Sequence, residues 1–114
     1  MLSLKNRLKE GKDFNYVYKK GRSAFLEGMF VKFLENGRGV SRVGFSVGLK
    51  FSKKAVDRNK IKRLLRAIMR QETKNMKKGF DVIIVPQKIK EGETYGEIEE
   101  KVKNILKKAG LSNK

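Results

Sequence analysis

The chain has no cysteine and no histidine in its 114 residues. The first absence excludes disulfides, a thiolate nucleophile and cysteine-ligated zinc. The second removes the side chain best suited to moving protons near neutrality. Acids are scarce as well: 12 Asp and Glu stand against 29 Lys and Arg, a formal net charge of +17. Those acids form no tight constellation. Glu97, Glu99 and Glu100 sit at the start of a helix pattern, where the helix dipole accounts for them without catalysis. No apolar run approaches the length of a membrane span, and the first residues lack the continuous apolar segment of a secretory signal. Cytoplasm is therefore the expected compartment. If the protein takes part in a reaction, another molecule is expected to perform the chemistry.

What is present points to a polyanion. A chain of this length is expected to form one domain over residues 1–114, and 39% hydrophobic content suffices for one modest core. A charge of +17 repels itself and is normally kept for nucleic acid or an acidic membrane surface. A merely solvated surface would mix signs with a much smaller excess. Residues 50–70 hold nine Lys or Arg and one acid, Asp57. On a helix, at about 100° per residue, Arg58, Asn59, Lys62, Arg63, Arg66 and Arg70 share an arc of roughly 140°. Ile61, Leu64, Leu65, Ile68 and Met69 fill a neighbouring arc of similar width. One face of this helix needs a core and the other needs an anionic partner. Nucleic acid is the partner read from pattern and composition together.

The rest of the chain reads as α+β. Residues 12–20 form a short first helix, with Phe14, Val17 and Tyr18 at helical spacing, Asp13 as cap and Gly21 at the end. Residues 22–27 make a short strand, residues 30–34 a clearer one. Asn36 and Gly37 signal a turn. Val43, Phe45 and Val47 alternate as a strand. The basic helix spans about 54–72, started by Ser52 or the Lys53-Lys54 turn. Residues 80–86 are nearly all apolar and read as a buried central strand, with the only proline, Pro86, at its exit. Thr94 and Glu97 form a capping-box pattern before a last helix with Ile98, Val102, Ile105 and Leu106 as its apolar stripe. The order α-β-(β)-β-α-β-α predicts a two-layer α/β sandwich, with helices packed on one side of a small sheet.

Two constellations could carry function. In the basic helix, arginines supply bidentate donors for phosphates, and Asn59 adds both a donor and an acceptor. Lys50, Lys53 and Lys54 extend the patch before it. A solvated face would place Glu and Lys four apart, whereas residues 58–70 contain no acid. The second constellation is aromatic: Phe14, Tyr18, Phe30 and Phe33, with Lys19, Lys20, Arg22 and Lys32 nearby in sequence. Aromatics of a small domain are mostly core. Exposed ones ringed by basic side chains bind single strands by stacking. Phe30 and Phe33, three apart on a strand, should not share a face. Gly44 and Gly48 before the helix loosely resemble a phosphate loop but lack its Gly-Lys-Ser/Thr ending.

Residues 43–47 (Val, Gly, Phe, Ser, Val), Lys50, Ala55, Val56 and then Arg58, Asn59, Lys62, Arg63 and Arg66 closely resemble the signature of the bacterial ribonuclease P protein subunit. The similarity extends to Asn6, Arg7, Leu8, Asp13, Phe14, Val17, Tyr18, Gly21 and the strand at 80–85. The resemblance implies an α/β sandwich with a left-handed βαβ crossover around the basic helix, a hand that the general rule would not predict. It implies a protein that assists a catalytic RNA in removing the 5′ leader of precursor tRNA, with Mg2+ held by the RNA and no ion required on the protein. Arg58, Asn59, Lys62, Arg63, Arg66 and Arg70 are implied to face that RNA. Phe14, Tyr18 and Phe33 match positions of a cleft implied to hold the leader. No membrane and no small-molecule substrate are implied. Two other readings compete: a general structural RNA-binding protein of ribosomal type, and a DNA-binding protein using the helix in a major groove. No turn and second helix precede the basic helix, which disfavours the last.

Overall fold

The structure, a computed structural model, describes residues 4–89 and 92–113. Its organising element is the strand β4 (Phe80–Pro86), in which Asp81 through Pro86 are all buried. Successive side chains of a strand point to opposite faces, so a strand this apolar needs cover on both. Val82 and Ile84 join the larger core, Ile83 and Val85 a smaller one. The sheet built around it has the order β1-β2-β4-β3, with β1 (Arg22–Leu26), β2 (Met29–Glu35) and β3 (Arg42–Phe45). β1 pairs β2 and β2 pairs β4 antiparallel, while β3 runs parallel to β4. The central position expected for residues 80–86 is therefore the one they occupy. Pro86 ends the strand opposite Met29.

A parallel pair needs a crossover, and α2 (Ala55–Glu72), the basic helix, supplies it between β3 and β4. Its apolar stripe is buried as its spacing predicts: Ile61, Leu65, Ile68 and Met69 lie in the larger core with Val82, Ile84 and Val43. Lys54 stands at its cap position, and the Ser52 side chain braces it, Oγ accepting from the Lys54 N–H at 3.1 Å. Beside α2 packs α3 (Tyr95–Lys108), which opens on the expected capping box between Thr94 and Glu97. Ile98, Val102, Ile105 and Leu106 of α3 complete that core.

The α+β sandwich stands, but the expectation that all helices lie on one side fails for α1 (Gly11–Lys20). α1 crosses to the other face, where Phe14 and Val17 pack with Ile83, Val85 and Phe30. Two terminal details also differ from expectation. Asp13 lies inside the first turn rather than at the cap, which Glu10 occupies without a side-chain bond. Gly21 ends α1 with φ −80°, so left-handed geometry is not its reason. A Cβ there would sit 2.5 Å from the Val17 carbonyl oxygen and 2.8 Å from that of Phe33. Close backbone approach is what requires glycine. The β1–β2 hairpin closes through Glu27 and Gly28, both at positive φ, the geometry of a two-residue type I′ turn.

Asp13 has a different task. Arg42 on β3 grips Asp81 with two bonds, Nε–Oδ1 at 2.8 Å and Nη2–Oδ2 at 2.6 Å, and reaches Asp13 at 3.4 Å. Asn36 donates to Asp81 from its own turn at 2.9 Å. This network ties α1, β3, β4 and the 36–41 turn together. The hydrogen bond to Asp81 raises the Arg42 pKa; burial pulls the other way and loses. Arg42 thus stays charged throughout any working pH. Among the described residues no helix is long and apolar enough to cross a membrane.

Removing Arg42 would leave the buried Asp81 carboxylate uncompensated. Arg42→Ala is expected to cost about 3 kcal/mol in urea unfolding. Asp13→Ala breaks the longer and more exposed arm and is expected to cost less than about 1 kcal/mol. Equal losses from the two substitutions would refute this division.

Candidate nucleic-acid interface

The polar arc of α2 is arranged as its spacing predicts. Asn59, Arg63, Arg66 and Arg70 are exposed, and Lys62 is half-buried. Arg58 is also half-buried, because its Nη1 donates to the Ser52 carbonyl at 2.9 Å and holds the loop before the helix. Lys50, Lys53 and Lys54 are exposed in that loop and at the cap. Lys60 departs from the arc and lines a separate recess beside Asp57.

At the β3 edge of the sheet, α1, β3, α2 and the segment preceding α1 enclose a groove of about 440 Å³. Its floor is apolar: Leu8, Phe14, Val43, Gly44 and Phe45. Its rim is basic: Arg7, Lys9, Lys62 and Arg66. No acid is among the described residues that line it. The N-terminal segment is held there by a bridge from Arg7 to Val43, with the Leu8 N–H donating to the Val43 carbonyl at 3.0 Å. The aromatic cleft and the basic helix, separate in sequence, therefore share one wall. Lys62 and Arg66 belong to both.

Phe14 owes its position to Gly44. A Cβ on Gly44 would lie 2.4 Å from Phe14 Cζ and 3.1 Å from the Leu8 carbonyl oxygen. The ring rests against bare backbone. This is the work of the glycine that loosely resembled part of a phosphate loop.

The other aromatic expectations divide. Tyr18, one turn beyond Phe14, is exposed on α1 and is not among the residues lining the groove. Phe33 is a correction: it is 4% exposed and belongs to the larger core, against Phe80 and beneath the Arg22 guanidinium at 5.0 Å. Strand alternation sends Phe30, Lys32 and Leu34 to the α1 face and Met29, Val31 and Phe33 to the other. Phe30 is the aromatic of β2 on the α1 face, packed against the smaller core, and like Tyr18 it is not among the residues lining the groove. Sequence reasoning missed Lys9 and Phe45 as groove residues, and placed Arg7 and Leu8 only within the resemblance. The available signal was basic Arg7 and Lys9 flanking apolar Leu8 ahead of α1. Among the described residues, no group of three or more acids is placed to hold a metal ion.

The sequence model of the Ribonuclease P family matches residues 2–110. The chain belongs to the ribonuclease P protein family. The ribonuclease P protein component of Alkaliphilus oremlandii is 38% identical over 108 residues, covering 95% of this chain and 94% of that one. That of Clostridium kluyveri is 40% identical, covering 92% and 95%. Solved ribonuclease P proteins share the fold. The Thermotoga maritima protein has TM-score 0.80 and 37% identity over 90% of this chain and 96% of its own. The Staphylococcus aureus protein has TM-score 0.83 and 30% identity over 95% and 98%. With the family comes the role of protein subunit of ribonuclease P in tRNA processing.

Two comparisons probe the groove. Lys62→Ala with Arg66→Ala should lower the slope of log affinity against log salt for a single-stranded RNA by about 1.4, two phosphates' worth. An unchanged slope would remove these residues from the interface. Gly44→Ala should weaken the same binding as much as Phe14→Ala, because the methyl group evicts the ring. Full affinity in Gly44→Ala would show that the ring's seat does not matter.

Proposed function

We propose that the groove holds the single-stranded 5′ leader of precursor tRNA while the outward face of α2 holds the catalytic RNA of ribonuclease P. Arg63 and Arg70, on the side of α2 away from the groove lining, bind the catalytic RNA with Asn59. Lys62 and Arg66 sit where the two RNAs come closest. Phe14 and Phe45 offer apolar surface for bases, and Arg7, Lys9, Lys62 and Arg66 neutralise the strand's phosphates. Stacking between cations is sequence-tolerant, as a subunit serving many precursors requires. The observation that carries this reading is the single groove in which the aromatic floor and the basic helix meet.

Phosphodiester hydrolysis belongs, on this reading, to the RNA and to Mg2+ held by it. The chain's own residues bind and orient. With neither histidine nor cysteine, it lacks the side chain best suited to proton transfer near neutrality, and its lysines and arginines supply positive charge. The work it can do is electrostatic and positional: lowering repulsion between two polyanions and fixing the leader relative to the RNA's reactive centre.

The test is comparative binding by the assembled ribonucleoprotein. Affinity should be higher for precursor than for mature tRNA, and Phe14→Ala should reduce that preference about fivefold or more. Arg63→Ala with Arg70→Ala should weaken assembly with the RNA subunit and lower its salt slope by about 1.8. Cleavage at low magnesium should require the protein. Equal affinity for precursor and mature tRNA would favour a general structural RNA-binding protein instead.

A further inference from the structure

A buried charge stands half-answered just before α3. The Glu93 side chain is 3% exposed, and its Oε1 pairs with Lys101 Nζ at 2.6 Å. Its Oε2 is buried as well and has no hydrogen-bond partner among the described residues. No other buried side-chain atom among them is left so. An unmade bond at a buried charge is costly, and such an atom calls for a donor from elsewhere. Glu93 lines a recess of about 620 Å³ between α2, α3 and the loop entering α2. Phe51, Leu64 and Ile89 give this recess an apolar floor that the core covers only in part. Asp57 brings a second carboxylate to it, its Oδ2 accepting from Ser52 Oγ at 3.0 Å. Lys60 lines the recess too, yet pairs with neither acid among the described residues. The last torsion of a glutamate is soft, so a small turn of the carboxyl brings Oε2 to a donor in the recess.

We infer that this recess binds a small organic cation, a primary ammonium carried on a short apolar body. The ammonium donates to Glu93 Oε2 and is attracted by Asp57, while the body covers Phe51, Leu64 and Ile89. Charge complementarity selects the occupant. A phosphate would meet two carboxylates here, so RNA is the wrong partner for this surface. A metal ion is wrong as well: it wants several oxygen ligands, and no group of three acids stands together among the described residues. An ammonium with an apolar body answers both the orphaned oxygen and the uncovered floor. The recess shares no lining residue with the groove at Phe14, so the two sites are separate. Lys60 is the resident competitor, a like charge beside the bound ammonium.

The experiment titrates the full chain with pentylammonium and follows backbone amide shifts by NMR, with 1-pentanol as the neutral probe of similar shape. Shifts should centre on Phe51, Asp57, Leu64, Ile89 and Glu93. Pentylammonium should bind about tenfold more tightly than pentanol, and Glu93→Gln should abolish that advantage while leaving pentanol unaffected. Glu93→Gln also strips Lys101 of its partner, which burdens the fold. Two substitutions at exposed positions therefore test the site independently. Asp57→Asn should weaken pentylammonium about two- to threefold, and Lys60→Gln should strengthen it by a similar factor. Equal affinity for pentanol and pentylammonium in the unaltered chain would overturn the site, leaving only an apolar recess. Shifts spread over exposed acids such as Glu10, or weaker binding in Lys60→Gln, would overturn it too.

Discussion

Strand β4 has to be covered on both faces, and the rest of the molecule is arranged to do it. Val82 and Ile84 draw α2 and α3 to one side; Ile83 and Val85 draw α1 to the other. Leaving either pair in water would forfeit roughly 1.5–3 kcal/mol per side chain. The shorter cover, α1, is ten residues and spans only part of its face. What it leaves open is the cleft. The groove is thus the unfinished side of the core, bordered by a helix end, a sheet edge and a return of the N-terminal segment. The network of Arg42 with Asp81 and Asp13 holds that helix end in place where the groove begins.

Much of this could be read from the chain because the signals are local. The two arcs of α2 follow from helical period alone, and its buried stripe agrees with them. The apolar run of β4 announced burial on both faces before any neighbour was known. Thr94 and Glu97 announced the start of α3. What the chain hid depends on partners distant in sequence. That Phe30 and Phe33 must divide between two faces was legible, but which one meets α1 depends on the register with β4. Asp13 looked like a cap because its true partner, Arg42, lies on another element. The Glu27-Gly28 turn was obscured because glutamate seldom takes a positive φ. Arg7 and Lys9 became groove residues only when the segment joined the edge of β3.

Helix α2 carries three demands at once. Its buried stripe closes the core, Lys62 and Arg66 wall the groove, and Arg63 and Arg70 face outward. Three neighbouring arcs of one rigid element keep these surfaces in fixed relation. A loop could present the same cations but would not hold their geometry. On the proposed reading, the chain's contribution is the fixed angle and spacing between two strongly charged surfaces, and a close-packed core maintains both.

The contact between Gly44 and Phe14 carries a consequence for the family's history. A strand residue and a helix residue, remote in sequence, occupy one shared volume. Neither position can vary freely: a larger residue at 44 survives only beside a smaller one at 14, and a ring at 14 demands bare backbone at 44. Among relatives the two should change together or not at all. A tight glycine in this strand would then mark those descendants that have kept an aromatic groove floor.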